Sequence, residues 1–424
     1  MSKAAIRRLM RGHRGATIIF VAIAMVMILG FAALAVDVGY LYVVRNQLQN
    51  AADSGALAGA QVLYNDAGTS VNDLADDVGA DYARRHLAEQ EEVVVLSSER
   101  GHWSFATRIF TPNDSLAPVD LWDVTTAELD ANTDFINAVR VITRRKRDAG
   151  GSLPAHFFGQ IFGGPRAEVM ATAVGYIGFA GTVEPDVLDQ PIAICEAAIR
   201  DPVTHAYTCG VGRQINSGTG NIASETGGWT NFSQPCETAN VPSVRPLVCS
   251  GNQFTVTFGN DMGTVGGMQD TVFSDMVDCW TGIRNYDRRN DPPPTTPVRW
   301  RLPVIECDGA NPGPCNVVVG TVEVDVVWIN HQEDPSFAEA PRQMLDPRPE
   351  NNGFVWTCSS PTASGQQCWN EFAEYFDLRW DRTSYAHYDS KAIYFLPNCS
   401  PHIPRGLTGG ENFGVLAKIP VLVK

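Results

Sequence analysis

Residues 14–60 read RGATIIFVAIAMVMILGFAALAVDVGYLYVVRNQLQNAADSGALAGA, and this stretch decides the architecture. Nineteen residues, Ile18 to Val36, carry no charge, and Gly30 alone interrupts the apolar run. At 1.5 Å per residue such a helix covers about 28 Å, close to the ~30 Å hydrocarbon core of a bilayer. The first acid is Asp37, placed where the helix would leave the lipid. A carboxylate there can be solvated; at the bilayer centre it would cost about 2.5–3.5 kcal/mol.

Lys3, Arg7, Arg8, Arg11 and Arg14 precede the run, with no acid among them. Cations on a short N-terminal tail favour keeping that tail in the cytoplasm. A cleaved secretory signal is the competing reading, with Ala33-Leu34-Ala35 as an A-x-A site. Signal cores usually span about 7–15 residues, shorter than this run, so a retained anchor is expected. Both readings send the chain from Asp37 onward across the membrane.

The helix is expected to continue past Asp37, because Val38, Leu41, Val44 or Arg45, Leu48, Ala52, Gly55 and Gly59 recur at three- and four-residue spacing. Ala51, Gly55 and Gly59 form one small-residue row, and Ala52, Ala56 and Ala60 another. Such rows let helix backbones approach closely. They are a candidate packing face, either for the protein's own domain or for another subunit.

Here the chain resembles the TadE/TadG-like proteins of Tad (Flp) pilus assembly. The resemblance rests on Arg14-Gly15, Asp37-Val38-Gly39, Tyr42, Arg45, Leu48-Gln49-Asn50-Ala51-Ala52-Asp53 and Ala56-Leu57-Ala58-Gly59-Ala60. A second block adds Phe110-Thr111-Pro112, Asn137-Ala138-Val139-Arg140-Val141, Phe157-Phe158 and Val169-Met170-Ala171-Thr172-Ala173. It covers residues 14 to about 178. The resemblance implies a membrane-anchored structural component of the pilus or a related secretion system. Two family features are missing. Type IV pilin precursors typically carry Glu five residues after the cleavage-point glycine; counting from Gly15, that residue is Phe20. Some larger TadG-like chains carry a D-x-S-x-S metal motif, whereas Asp186-Val187-Leu188-Asp189 lacks the serines. Neither pilin-type processing nor a metal-dependent adhesion site is implied.

Composition narrows the rest. The 32 Lys and Arg include the five ahead of the span, leaving 27 against all 47 acids, a net −20 from Asp37 onward. Such a surface repels polyphosphate, so nucleic acid is not an expected partner. All ten cysteines lie at or beyond Cys195, an even set in an exported region, which predicts disulfides. Sequence proximity suggests the pairs Cys195–Cys209, Cys236–Cys249, Cys307–Cys315 and Cys358–Cys368, with Cys279–Cys399 left over, although connectivity is not fixed by sequence. Zinc is disfavoured: there is no C-x-x-C, and seven residues separate the closest pair, Cys307 and Cys315.

The expected fold class is α+β: a transmembrane and stalk helix, a small α+β module, then a mainly β, disulfide-rich domain. The boundaries are a basic tail at 1–17, the span at 18–36, the stalk at 37–64, the module at 65–180 and the cysteine-rich domain at 181–424, with a possible hinge at 290–297. In the module, Ser70–Gln90 is a helix candidate with Ser70 and Asp73 as its capping pair. Strands are expected at 92–96, 103–106, 138–143 and 168–179, with Gly101 in a turn. Further on, 254–258, 299–305, 317–328, 392–396 and 415–423 are strand candidates. Gly210–Gly212 and Ser217–Asn221 read as turns, and the basic run Arg144 to Arg147 as a solvated loop or a contact with lipid headgroups or an acidic subunit.

No catalytic constellation stands out. His331 beside Glu333, Asp334 and Ser336 reads as a surface loop, and Asp73, Asp76 and Asp77 lack the glycine and terminal Glu of a calcium loop. No metal, cofactor or enzymatic activity is expected, and no small-molecule ligand is identified. Trp229, Phe232, Trp280, Trp300, Trp328, Trp356, Trp369 and Trp380 read as core filler; an exposed cluster would instead suggest an adhesin for protein or glycan. The leading expectation is a non-enzymatic, single-pass inner-membrane protein with its bulk periplasmic or extracellular, contacting the bilayer through 18–36 and other pilus-assembly or envelope proteins. An anchored or pilus-borne adhesin and an envelope hydrolase with an unrecognised site are the alternatives.

Overall fold

The computed structural model describes residues 13–65, 70–121, 124–145, 168–200, 209, 214–216, 227–266, 270–287, 290–307, 312–331, 334, 336–379, 384–402, 404–417 and 419–424. Helix α1, His13–Gln61, is one unbroken element of 49 residues. It holds no proline, and Gly30 and Gly39 meet no neighbouring side chain. Its environment changes along its length. Ile18, Phe20 and Phe31 are at least 70% exposed, whereas Val44, Leu48, Ala51, Ala52 and Ala56 are fully buried.

The buried half of α1 packs with helix α2, Ala75–Arg84, on one face of an antiparallel sheet. That sheet comprises β1 (Leu87–Ala88), β2 (Glu91–Ser104), β3 (Ile109–Pro112), β4 (Ala138–Arg145) and β5 (Met170–Tyr176), in the order β1-β2-β4-β5 with β3 on β2. Val139 and Val141 of β4 face the helices. Short helix α3, Thr126–Ala131, starts at a capping box between Thr125 and Glu128.

Two expectations in this region are corrected. The helix is confined to 75–84, without a Ser70–Asp73 cap. Instead Asn72 accepts from the Leu74 N–H through its side chain, a local turn that delays helix entry. At the other end Glu89 and Gln90 take positive φ and reverse the chain into β2. Gly101 lies inside β2 rather than in a turn: a Cβ there would come within 2.2 Å of the Thr111 carbonyl oxygen on β3, so the bare backbone allows the strands to meet. Residues 105–108 make the turn, with Arg108 at positive φ.

Beyond residue 180 the chain forms β6 (Thr182–Val183), β7 (Ile192–Cys195), α4 (Glu196–Ile199), β8 (Gln214–Asn216), β9 (Gly227–Thr230), α5 (Val241–Val244), β10 (Val256–Thr257) and β11 (Asp261–Val265). Helix α6 (Asp270–Thr281), β12 (Val298–Ile305), β13 (Cys315–Asn330), β14 (Gln343–Leu345), β15 (Val355–Thr357), α7 (Gly365–Tyr375), β16 (Ala392–Phe395), β17 (Ser400–Pro401) and β18 (Val421–Leu422) complete it. The main sheet runs β11-β9-β7-β12-β13-β16-β8, with β12–β7 parallel. Central β13 alternates as its sequence requires: Val322, Val324 and Val326 are buried and Glu323 and Asp325 half-buried.

Both faces of this sheet are covered by helices that the strand-dominated reading did not foresee. Val324, Val326, Ile393 and Phe395 join Phe273 and Met276 of α6 in one core. The alternate residues Val327, Trp328, Ala392 and Tyr394 join Trp369 and Phe372 of α7 in another. Among the described residues of 254–258 and 415–423, strand is confined to 256–257 and 421–422. The proline run 290–297 links α6 to β12, and Phe273 and Trp300 on its two sides share one core. The run is fastened there: Trp280 donates to the Thr296 carbonyl and the Leu345 N–H to that of Thr295.

All ten cysteines are bridged: Cys195–Cys307, Cys209–Cys399, Cys236–Cys315, Cys249–Cys279 and Cys358–Cys368. Of the four pairs suggested by proximity in sequence only Cys358–Cys368 occurs, and the leftover pair Cys279–Cys399 does not. Topology decides the others. Parallel pairing of β7 with β12 sets Cys195 beside Ile305, two residues from Cys307. The β11–β13 pairing sets Gly263 opposite Cys315, and Gly263 donates to Ser233 in the loop that carries Cys236.

The chain finally returns to its first sheet. Strand β18 pairs with Gly175 and Tyr176 on the open edge of β5, and the Val174 N–H donates to the Lys424 carbonyl. Asn412 donates to the Leu121 and Val124 carbonyls, a second tie between the early and late parts of the chain.

Candidate membrane and assembly surface

The N-terminal half of α1 is a rod of aliphatic and aromatic side chains, exposed over most of 18–36, with Ala33 buried. Thr17–Gln61 is long and apolar enough to cross a membrane, and only 6% of its most apolar window is buried. A helix this apolar on all sides is solvated by lipid or packed in a core, and among the described residues no core surrounds it. It fits a single-pass anchor. The basic residues ahead of His13 lie outside the described residues.

The small-residue rows lie immediately beyond, and the structure places them against the chain's own elements. Ala51, Ala52, Gly55, Ala56, Gly59 and Ala60 are all buried. A Cβ on Gly55 would come within 2.5 Å of the Gly79 carbonyl oxygen of α2, and one on Gly59 within 2.8 Å of Val139 on β4. Gly175 of β5 returns the fit, with the Ala56 carbonyl oxygen 2.3 Å from where its Cβ would stand. The rows thus bring α1 into backbone contact with a helix and a sheet at once.

Polar residues of the same stretch fix the register. Gln49 donates to Asp53 one turn on (2.7 Å) and to the Thr172 carbonyl of β5 (3.2 Å). Thr143 of β4 donates to the Leu48 carbonyl, and Gln47 accepts from the Glu89 N–H. Arg145 forms an ion pair with Glu89, and Arg144 one with Glu168 at 3.4 Å. These two members of the basic run therefore have partners in the chain, while Lys146 and Arg147 lie outside the described residues. Buried Asn137 exchanges two hydrogen bonds with the Trp103 backbone, and buried Tyr64 donates to the Ile136 carbonyl. Burial raises the Tyr64 hydroxyl pKa, so this donor keeps its proton. The sequence reading missed Asn137 and Tyr64 as structural hubs, since a lone polar residue carries no periodic signal.

Of the possible acid–base group, Asp334 and Ser336 are in contact. Ser336 donates to Asp334 at 2.8 Å. Burial would raise the Asp334 carboxyl, but the Glu339 N–H and the Ser336 hydroxyl hold it below its ordinary value. That is the state of a loop-fixing carboxylate. Glu333 lies outside the described residues. Among Asp73, Asp76 and Asp77, Asp76 is paired with Arg100 at 2.7 Å. Among the described residues no cluster of three or more His, Cys, Asp or Glu is arranged to hold a metal ion. Trp229, Phe232, Trp300, Trp328, Trp356 and Trp369 are buried, each no more than 5% exposed, and Trp280 is half-buried. Trp380, Phe157, Phe158 and the glycine turns at 210–212 and 217–221 lie outside the described residues.

Comparison with known families agrees with this geometry. Residues 15–62 match a family model described as Flp pilus-assembly TadE/G-like, and residues 58–174 match one described as Tad-like Flp pilus-assembly. The two matches meet where α1 ends, so they span the anchor helix and the sheet it packs on. No curated protein and no solved structure matches the chain.

Proposed function

We propose, from the match of residues 15–174 to Tad-like Flp pilus-assembly family models, that the chain is a membrane-anchored, non-enzymatic structural component of a Tad pilus or related secretion system. Helix α1 carries this reading, being at once a lipid-exposed span and the spine of the first sheet. A rod shared in this way transmits position and force between the bilayer and the folded bulk.

The N-terminal cations favour a cytoplasmic tail at 1–17 and a span at 18–36 in the inner membrane. Five disulfides favour an oxidising, extracytoplasmic place for the rest. The division of labour is a stalk at 37–64, an α+β module at 65–180 completed by the C-terminal strand, and a disulfide-rich domain at 181–424. With the small-residue rows occupied internally, contacts with other pilus-assembly or envelope proteins fall to the outward side of α1 and to the later domain. None of the described tryptophans of the later domain is exposed, so they give the adhesin reading no support.

Deleting the gene in its host and counting surface pili by electron microscopy tests the proposal. Loss of pili, restored by the intact chain but not by a chain lacking 18–36, is expected. Normal piliation in the absence of a redundant paralogue would contradict it.

A further inference from the structure

We propose that the groove between α1 and the start of β5 binds one phospholipid of the surrounding bilayer, with Arg45 holding its phosphate. The inference rests on the reading of α1 as a membrane span. A cavity of about 350 Å³ lies at this junction. Val38 and Leu41 line it from α1, Val169 and Met170 from the entry to β5, and Tyr42 and Arg45 complete the rim. Positions 38, 41, 42 and 45 share one helical face.

Height above the bilayer identifies the occupant. Val38 to Arg45 are the second to ninth residues after the apolar run ends at Val36. At 1.5 Å per residue they sit about 3–14 Å beyond the hydrocarbon, across and just above a headgroup layer roughly 5–8 Å deep. Side chains on a helix lean toward its N-terminus, here toward the lipid, so the long Arg45 side chain is biased back into that layer. Val38, Tyr42 and Met170 are 56, 66 and 49% exposed, an apolar surface continuous with the lipid-facing rod below.

Charge narrows the chemistry further. Glu168 also lines the groove but is engaged by Arg144, and Arg145 is engaged by Glu89. Arg45 is exposed and forms no ion pair with a described residue. One unneutralised guanidinium above an apolar trough matches an anionic phosphate above acyl chains.

The full-length chain, purified in mild detergent with added phosphatidylglycerol and weighed intact by native mass spectrometry, tests this. One retained phospholipid per chain is expected. The fraction loaded should fall about tenfold in Arg45→Gln, as for a charge-assisted hydrogen bond, and recover partly in Arg45→Lys. Val169→Trp should reduce it by filling the trough, and diacylglycerol, which lacks the phosphate, should not be retained. Equal loading of Arg45→Gln, equal retention of diacylglycerol, or no lipid on a wild-type chain that resists carbonate extraction would overturn the site alone. A wild-type chain released from membranes by carbonate would overturn the anchor and the site with it.

Discussion

Gly175→Val is expected to break the junction between the anchor helix and the first sheet. A Cβ at this position would stand 2.3 Å from the Ala56 carbonyl oxygen, 2.7 Å from its carbon and 3.1 Å from the Leu57 nitrogen. All three are backbone atoms of α1, so no side chain can rotate away. Nor can β5 retreat, because Gly175 pairs with Val139 on one side and Leu422 on the other. Overpacking a tight core costs about 1–3 kcal/mol, and a clash against backbone belongs at or above the top of that range. For a domain of this size about 3 kcal/mol lowers the melting temperature by roughly 6–12 °C. Gly39→Ala is the control. Gly39 lies on the same helix with no neighbour within 4 Å, so the change should be neutral or slightly stabilising. Thermal unfolding of the two variants in detergent, followed by circular dichroism, checks the contrast.

Removing Cys195–Cys307 is the second large effect, and it should exceed removal of Cys358–Cys368. The first bridge closes 112 residues and ties two parallel strands of the main sheet; the second closes 10 between β15 and α7. Loop-closure entropy alone gives about 4–5 kcal/mol for the longer loop and about 2–3 kcal/mol for the shorter. Paired Cys→Ala variants, compared by the midpoint of urea unfolding, should show that order. Equal midpoints would mean that the unfolded chain is already restrained by the other bridges.

The residues explain which features were legible before the structure. The anchor was, since nineteen uncharged residues have few uses. Strands β4, β12 and β13 were legible because valines and charges alternate along them. Helices α6 and α7 are written in the same way, as Val272, Phe273, Met276 and Val277, and as Cys368, Trp369, Phe372 and Ala373 behind the N-cap Ser364. There the surrounding glycines, prolines and cysteines drew the reading toward β structure. Cystine connectivity was not legible, because it depends on which strands become neighbours. The same holds for the return of β18 to β5, a pairing between residues nearly 250 positions apart. The small-residue rows announced close packing but not the identity of the partner, which proved to be the chain's own α2, β4 and β5.

A spin-label accessibility scan of residues 18–60, with the full chain in lipid bilayers, decides whether α1 is at once membrane span and core helix. Labels from 18 to 36, position 33 apart, should be reached by oxygen and not by a water-soluble relaxant. From 38 onward a 3.6-residue period is expected, with positions 44, 48, 51, 52 and 56 shielded from both reagents. A uniformly water-accessible 18–36, or a loss of helical period between 37 and 48, would contradict a single rod serving as both anchor and core.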